Sequence, residues 1–174
     1  MCTVFTPLSR YDKKYARICC CCPLYHTFGC VIGNLNALIH GCTMVLPSLS
    51  FDPQASIQAI VDEKCTSVYG TPTMFIDLLD VARQSKPDLS SVHTGIMAGA
   101  TCPEELCRYR VTNILQNLSN DDNQRDVVNE LNMKDFVVAY GMTETSPVTF
   151  QVFISLNIFS PMLFFRGFVM MTWS

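Results

Sequence analysis

Short apolar runs alternate with amphipathic stretches over the first 140 residues. Arg17 to Cys22, Thr43 to Leu46, Ser67 to Tyr69, Thr94 to Met97 and Asp135 to Ala139 are brief, largely apolar and bounded by turn residues, the signature of buried strands. Between them the period becomes helical. Val31 to His40 predicts a helix that Gly41 ends through its tolerance of left-handed backbone. Asp52-Pro53 supplies a cap and a first-turn proline to a helix running to Lys64, with Ile57, Ile60 and Val61 on one face. Met74 to Val81 predicts another amphipathic helix, and Pro103 begins one through Leu106. Strand then helix, repeated, predicts an α/β fold: a mainly parallel sheet with covering helices.

Composition narrows the class. The chain has 174 residues, 49% of them hydrophobic, which allows one domain with a real core. A net charge of -3, with twelve scattered Lys and Arg, gives no electrostatic case for nucleic acid or an anionic membrane surface. Ten cysteines raise the question of a disulfide scaffold. Four are consecutive, Cys19 to Cys22, and neighbours on a strand point to opposite faces. With no secretory signal in view, reduced structural thiols in a reducing compartment are expected. Zinc held by Cys22, His26 and Cys30 is the alternative, although it lacks a paired CxxC and a fourth ligand.

Three turns carry the chemistry. Gly70-Thr71-Pro72, Gly99-Ala100-Thr101 and Tyr140 to Glu144 each follow a predicted strand, so in one parallel sheet they share the carboxyl edge where α/β proteins bind ligands. Singly, Gly-Thr-Pro and Gly-Ala read as ordinary βα turns. The pentapeptide Tyr140-Gly141-Met142-Thr143-Glu144 combines an aromatic ring, a glycine bend, a hydroxyl and a carboxylate, a set suited to a nucleotide base, a phosphate and a divalent cation.

Continued as YGMTETSPVTF, that pentapeptide resembles the adenine- and magnesium-binding motif of the adenylate-forming superfamily, which comprises the acyl-CoA synthetases and their luciferase and peptide-synthetase relatives. PLYHTFG (Pro23 to Gly29), YGTPTMF (Tyr69 to Phe75) and AGATCPEEL (Ala98 to Leu106) stand in the family's order. Together with NMKDFVVAYGMTETSPVTF from Asn132, their wording is nearest the medium-chain acyl-CoA ligases. The resemblance covers residues 16–150 and implies part of the large N-terminal domain of such an enzyme. It also implies the reaction: a fatty acid carboxylate attacks the α-phosphate of ATP, and CoA then displaces AMP from the acyl-adenylate.

By the same resemblance Glu144 is the Mg²⁺ ligand and Thr143 contacts the α-phosphate. Tyr140 stacks on adenine, with Gly141 and Met142 completing that loop, while Gly99, Ala100 and Thr101 line the base from the other side. His26 sits near the acyl-adenylate as a catalytic donor, and Phe28, Gly29, Thr73 and Met74 line an acyl tunnel. Plainer readings stand beside these: a core tyrosine at 140, a helix-capping Glu144, a hydrogen-bonded surface His26. His40 and His93 receive no role.

Two segments depart from the pattern. Residues 109–126 include a polar stretch from Ser119 to Asn123, an insertion at the surface or the product of an extra exon. Residues 151–174 form a divergent hydrophobic tail. Asn157, Ser160, Pro161 and Arg166 interrupt it, so no membrane span is expected where about 20 apolar residues are needed. The family's phosphate loop is expected before Arg17, and its ribose aspartate, hinge and small lysine-bearing domain after the tail. Without them the chain is expected to be inactive alone. The rival readings are another adenylating enzyme, luciferase-like or amino-acid-specific, and a non-catalytic truncated product that binds nucleotide or a partner such as a chaperone. The resemblance implies mitochondrial residence; no Arg-rich presequence is visible in Met1 to Lys14, which otherwise leaves the cytoplasm.

Overall fold

The computed structural model describes residues 16–101, 131–133, 135–145 and 148–155. Six strands form one sheet: β1 (Arg17–Cys20), β2 (Thr43–Val45), β3 (Ser67–Gly70), β4 (Thr94–Met97), β5 (Asp135–Gly141) and β6 (Val148–Ser155). Their order is β2-β1-β3-β4-β5-β6. The first five are parallel and β6 runs antiparallel to β5. This is the expected mainly parallel α/β architecture, with an antiparallel strand at one edge.

Strand side chains feed two cores. On one face Cys19, Cys21 and Val68 pack with Phe75, Leu78, Leu79, Ile57 and Ile60, which come from α2 (Pro53–Asp62) and α3 (Pro72–Ser85). On the other, Ile18, Cys20, Cys22, Tyr69, Ile96 and Val137 pack with Phe28, Ile32 and Ala37. The four consecutive cysteines thus alternate between the cores, as strand geometry requires. None of the seven cysteines among the described residues is in a disulfide. Phe75 of α3 meets Phe136 of β5 edge to face, with centroids 5.4 Å apart, a favoured aromatic arrangement.

The caps explain the helix limits. Asp52 Oδ1 accepts from the backbone N–H groups of Gln54 and Ala55 at 2.9 and 3.1 Å, which satisfies two donors that would otherwise be orphaned. Thr71 caps α3 in the same way ahead of Pro72, so α3 begins two residues before the expected Met74 and runs on to Ser85. The helix expected from Val31 begins earlier as well. Phe28–Leu35 winds as a π-helix and continues as α1 (Asn36–His40), which ends on left-handed Gly41. Its buried positions are Phe28, Ile32, Asn36 and Gly29, Gly33, Ala37. They recur every four residues and so lie along one face of the run.

Two expectations at the β5 edge are corrected. β5 extends through Tyr140 and Gly141, which were expected in the loop beyond it. Antiparallel pairing of Tyr140 with Phe150 and of Gly141 with Val148, across an irregularity between Tyr140 and Gly141, continues the ladder. β6 itself was not expected, and it takes in the first five residues of the tail, to Ser155. The helix expected from Pro103, residues 109–126 and residues 156–174 lie outside the described residues. Among the described residues no helix is long and apolar enough to cross a membrane.

Replacing Asp52 by Ala is expected to lower stability by about 1 kcal/mol, with Asn largely restoring it; urea denaturation checks this. Burial pushes the Cys20 thiol from about 9 up to about 11. The folded chain therefore holds this proton while the unfolded chain sheds it, so stability falls as pH rises from 9 towards 11, on the order of 2 kcal/mol over that window. Comparing the pH dependence of unfolding in the wild type and Cys20→Ala isolates the contribution, and identical slopes would contradict it.

Candidate active site

Strands β1, β3, β4 and β5 deliver four segments to one carboxyl edge. Hydrogen bonds continue past the strand ends: Cys21 N–H donates to Tyr69 O at 3.0 Å and Ala98 N–H to Gly70 O at 3.3 Å. The segments are thus held side by side before they diverge.

Gly99 is where three of them meet. Its φ of +86° lies in the left-handed region, and a Cβ there would sit 3.5 Å from Thr71 Cγ2 and 3.7 Å from Phe28 Cδ1. Phe28, buried beneath, stacks on Tyr69 with centroids 6.4 Å apart and planes 27° apart. Gly99, Ala100 and Thr101 are exposed above it. On the neighbouring strand β5, in register Met97 with Val138, Tyr140 lies two residues past the last pair, as Gly99 does on β4. Tyr140 is 63% exposed, so it is not the core tyrosine that the plainer reading allowed. That part belongs to Tyr69.

Beyond β5, Met142 is exposed and Thr143–Thr145 form a 3₁₀ turn with Thr143 and Glu144 at the surface. Gly99 to Thr101 and Tyr140 to Glu144 therefore flank one edge on adjacent strands. His26 stands apart from them. Its segment follows β1, with β3 and β4 between it and β5, three strand spacings or roughly 14 Å from the Glu144 segment's strand. His26 is exposed, and its Nδ1 accepts from Phe28 N–H at 3.1 Å. Nε2 is therefore the nitrogen that carries the proton.

The remaining assignments divide. Phe28 and Met74 share the core beneath the π-helix. Gly29 is closed in, since a Cβ there would lie 2.3 Å from Pro23 O and 2.7 Å from Cys22 O. Thr73 is exposed, with its hydroxyl 3.0 Å from that of Thr71. The zinc alternative fails on geometry: Cys22 turns into the core while His26 faces outward. Among the described residues no three His, Cys, Asp or Glu side chains gather as a metal-binding group. Two residues of the YGTPTMF segment gain specific contacts. Tyr69 supports Phe28, and Thr71 abuts Gly99 while its hydroxyl accepts from Met74 N–H at 3.4 Å. The Thr-Pro pair carried a capping signal equal to that of Asp52-Pro53.

The family model for AMP-binding enzymes matches residues 1–162. The chain belongs to the AMP-binding enzyme family. Relatives within it include a mitochondrial medium-chain acyl-CoA ligase, ACSF2, of Danio rerio, 44% identical over 79% of this chain and 20% of that protein. The acyl-CoA ligase SID4 of Ajellomyces capsulatus is 40% identical over 83% of this chain and 22% of its own length. The chain thus spans about one fifth of the length of these relatives. The solved N-terminal domain of FACL13 from Mycobacterium tuberculosis superposes with a TM-score of 0.58 at 18% identity, over 76% of this chain and 29% of that one. The AMP-binding family fold is therefore the α/β sheet described above, as part of the large N-terminal domain.

Gly99→Ala is expected to cost about 1 kcal/mol through its left-handed backbone. Gly41→Ala, at φ +67° with nothing within 4 Å of a Cβ, should cost a similar amount. Urea denaturation of both variants measures the backbone effect at and away from the carboxyl edge.

Proposed function

We propose that this chain supplies the nucleotide-binding edge of an ATP-dependent acyl-CoA ligase acting on medium-chain fatty acids. The observation that carries the reading is the convergence, on one carboxyl edge, of Gly99 to Thr101 with an exposed Tyr140 and an exposed Thr143-Glu144 turn. The relative named as a medium-chain ligase, at 44% identity, supports the acyl class. Because the chain spans about one fifth of that relative's length, the complete reaction is assigned to the full-length polypeptide carrying this sequence.

The chemistry has two displacements. A carboxylate oxygen bonds to the α-phosphorus of ATP as the bond to pyrophosphate breaks, and the thiol sulfur of CoA then bonds to the acyl carbon as AMP leaves. Both pass through concentrated negative charge, so positioning and neutralisation dominate. Tyr140 offers its ring to adenine, with Gly141 and Met142 shaping the approach, and Gly99, Ala100 and Thr101 line the base with small residues and backbone. Thr143 donates its hydroxyl to the α-phosphate. His26, with the proton on Nε2, donates to the reacting oxygens. The cradle under Gly99, the buried Phe28 and the half-buried Met74 give the acyl chain an apolar boundary.

Glu144 suits Mg²⁺, which takes one or two carboxylates and completes its shell with phosphate oxygens and water. An exposed carboxylate beside the phosphate-directed Thr143 matches that requirement. The ion would supply charge neutralisation on the phosphates. The mitochondrial designation of the relative supports residence in that organelle, whose reducing interior suits the free thiols.

In the full-length protein, Glu144→Ala should reduce ATP–pyrophosphate exchange by at least about 100-fold with unchanged thermal unfolding, and undiminished exchange would remove Glu144 from the metal role. His26→Ala should slow exchange more than it weakens ATP binding measured by calorimetry. Equal losses in both would place His26 at the nucleotide instead.

A further inference from the structure

Four neutral polar side chains lie buried under the π-helix and α1. Asn36 is 5% exposed, Thr94 is 1%, and Ser67 and Tyr69 are fully buried. Asn36 Nδ2, Ser67 Oγ, Tyr69 Oη and Thr94 Oγ1 each lack a hydrogen-bond partner among the described residues. Their placement is common. Ser67 and Tyr69 are two apart on β3 and so share a face, while Thr94 pairs with Ser67 across the β3–β4 ladder. Burial pushes the Tyr69 phenol well above its usual range, and the adjoining Ser67 and Asn36 side chains offset this only in part. Both therefore stand next to the hydroxyl without closing a well-formed bond to it.

Leaving four such groups unsatisfied is costly, because buried polar atoms in folded proteins are nearly always paired. No charged side chain belongs to the cluster, which gives neither a cation nor an anion its counter-charge. An amide donor and three hydroxyls, each able to donate and accept, match the two to four bonds that a buried water forms.

We propose that Asn36, Ser67, Tyr69 and Thr94 enclose an internal water site that ties the π-helix and α1 to the centre of the sheet. The bound water accepts from Asn36 Nδ2 and bridges the hydroxyls of β3 and β4. Since Phe28 lies on the same helical run and stacks on the Tyr69 ring, the water also fixes the floor beneath Gly99.

The discriminating variant is Tyr69→Phe in the full-length polypeptide, because it deletes one hydroxyl and keeps the ring. If Oη binds water, Tm falls by about 1 °C, the shift that about 1 kcal/mol produces in a polypeptide of several hundred residues, and Ser67→Ala moves it in the same direction. If Oη is an orphan, its removal leaves Tm unchanged or raises it, which overturns the proposal. A high-resolution crystal structure of the wild type provides a second measurement that does not depend on variant folding. Water within hydrogen-bonding distance of Oη and at least one of the other three atoms supports the site, and a dry cluster overturns it.

Discussion

Parallel pairing of β3 with β1 on one side and β4 on the other is the constraint on which everything else rests. Every residue of β3 and of β4 is buried, so their backbone polar groups are satisfied only through the ladder. That ladder runs in register from Ile18 through Ser67 to Thr94 and on to Asp135. A slip of one residue would exchange the two faces of a strand. It would turn Val68 into the core under the π-helix and Tyr69 into the core under α2 and α3. The same register brings the turns after β3, β4 and β5 to a single edge, so site assembly and core packing have one origin.

Two glycines of the β4 segment show the dependence in detail. Gly95 on β4 is pressed between strands and side chains, with Met133 Sδ 2.7 Å and Val68 O 3.1 Å from where a Cβ would be. It permits the close approach that sets the level of β4. Gly99, four residues on, has room but a left-handed backbone. The first glycine serves the packing of the sheet, and the second serves the direction in which the chain leaves it.

Much of this was legible in the sequence because it rests on local rules. Asp52-Pro53, Gly41 and the apolar runs at 67–69 and 94–97 announce caps and strands through backbone chemistry that needs no partner. The alternation of Cys19 to Cys22 followed from strand geometry alone. What escaped depended on how segments pair and pack. β6 is a run of β-branched and aromatic residues that straddles the end of the resemblance and the tail, and the extension of β5 through Tyr140 and Gly141 follows from its pairing with that run. The π winding of Phe28–Leu35 also escaped, because the four-residue spacing of its buried groups is one that an α-helix shares. The identity of the candidate site residues came from motif wording, whereas their exposure and grouping came from the sheet.

The antiparallel β5–β6 pair has a consequence for how the molecule forms. Parallel neighbours such as β1 and β3 join residues about fifty positions apart, Ile18 with Ser67 for example, and such non-local pairings slow folding. Gly141 and Val148 are seven apart, and a hairpin of that kind closes on a time scale of about 1–10 μs. Tyr140 to Glu144 therefore lie on the most local ribbon of the sheet. That segment meets its β6 partner across a few residues of chain, whereas the loops after β1, β3 and β4 reach the same edge only through long crossover connections.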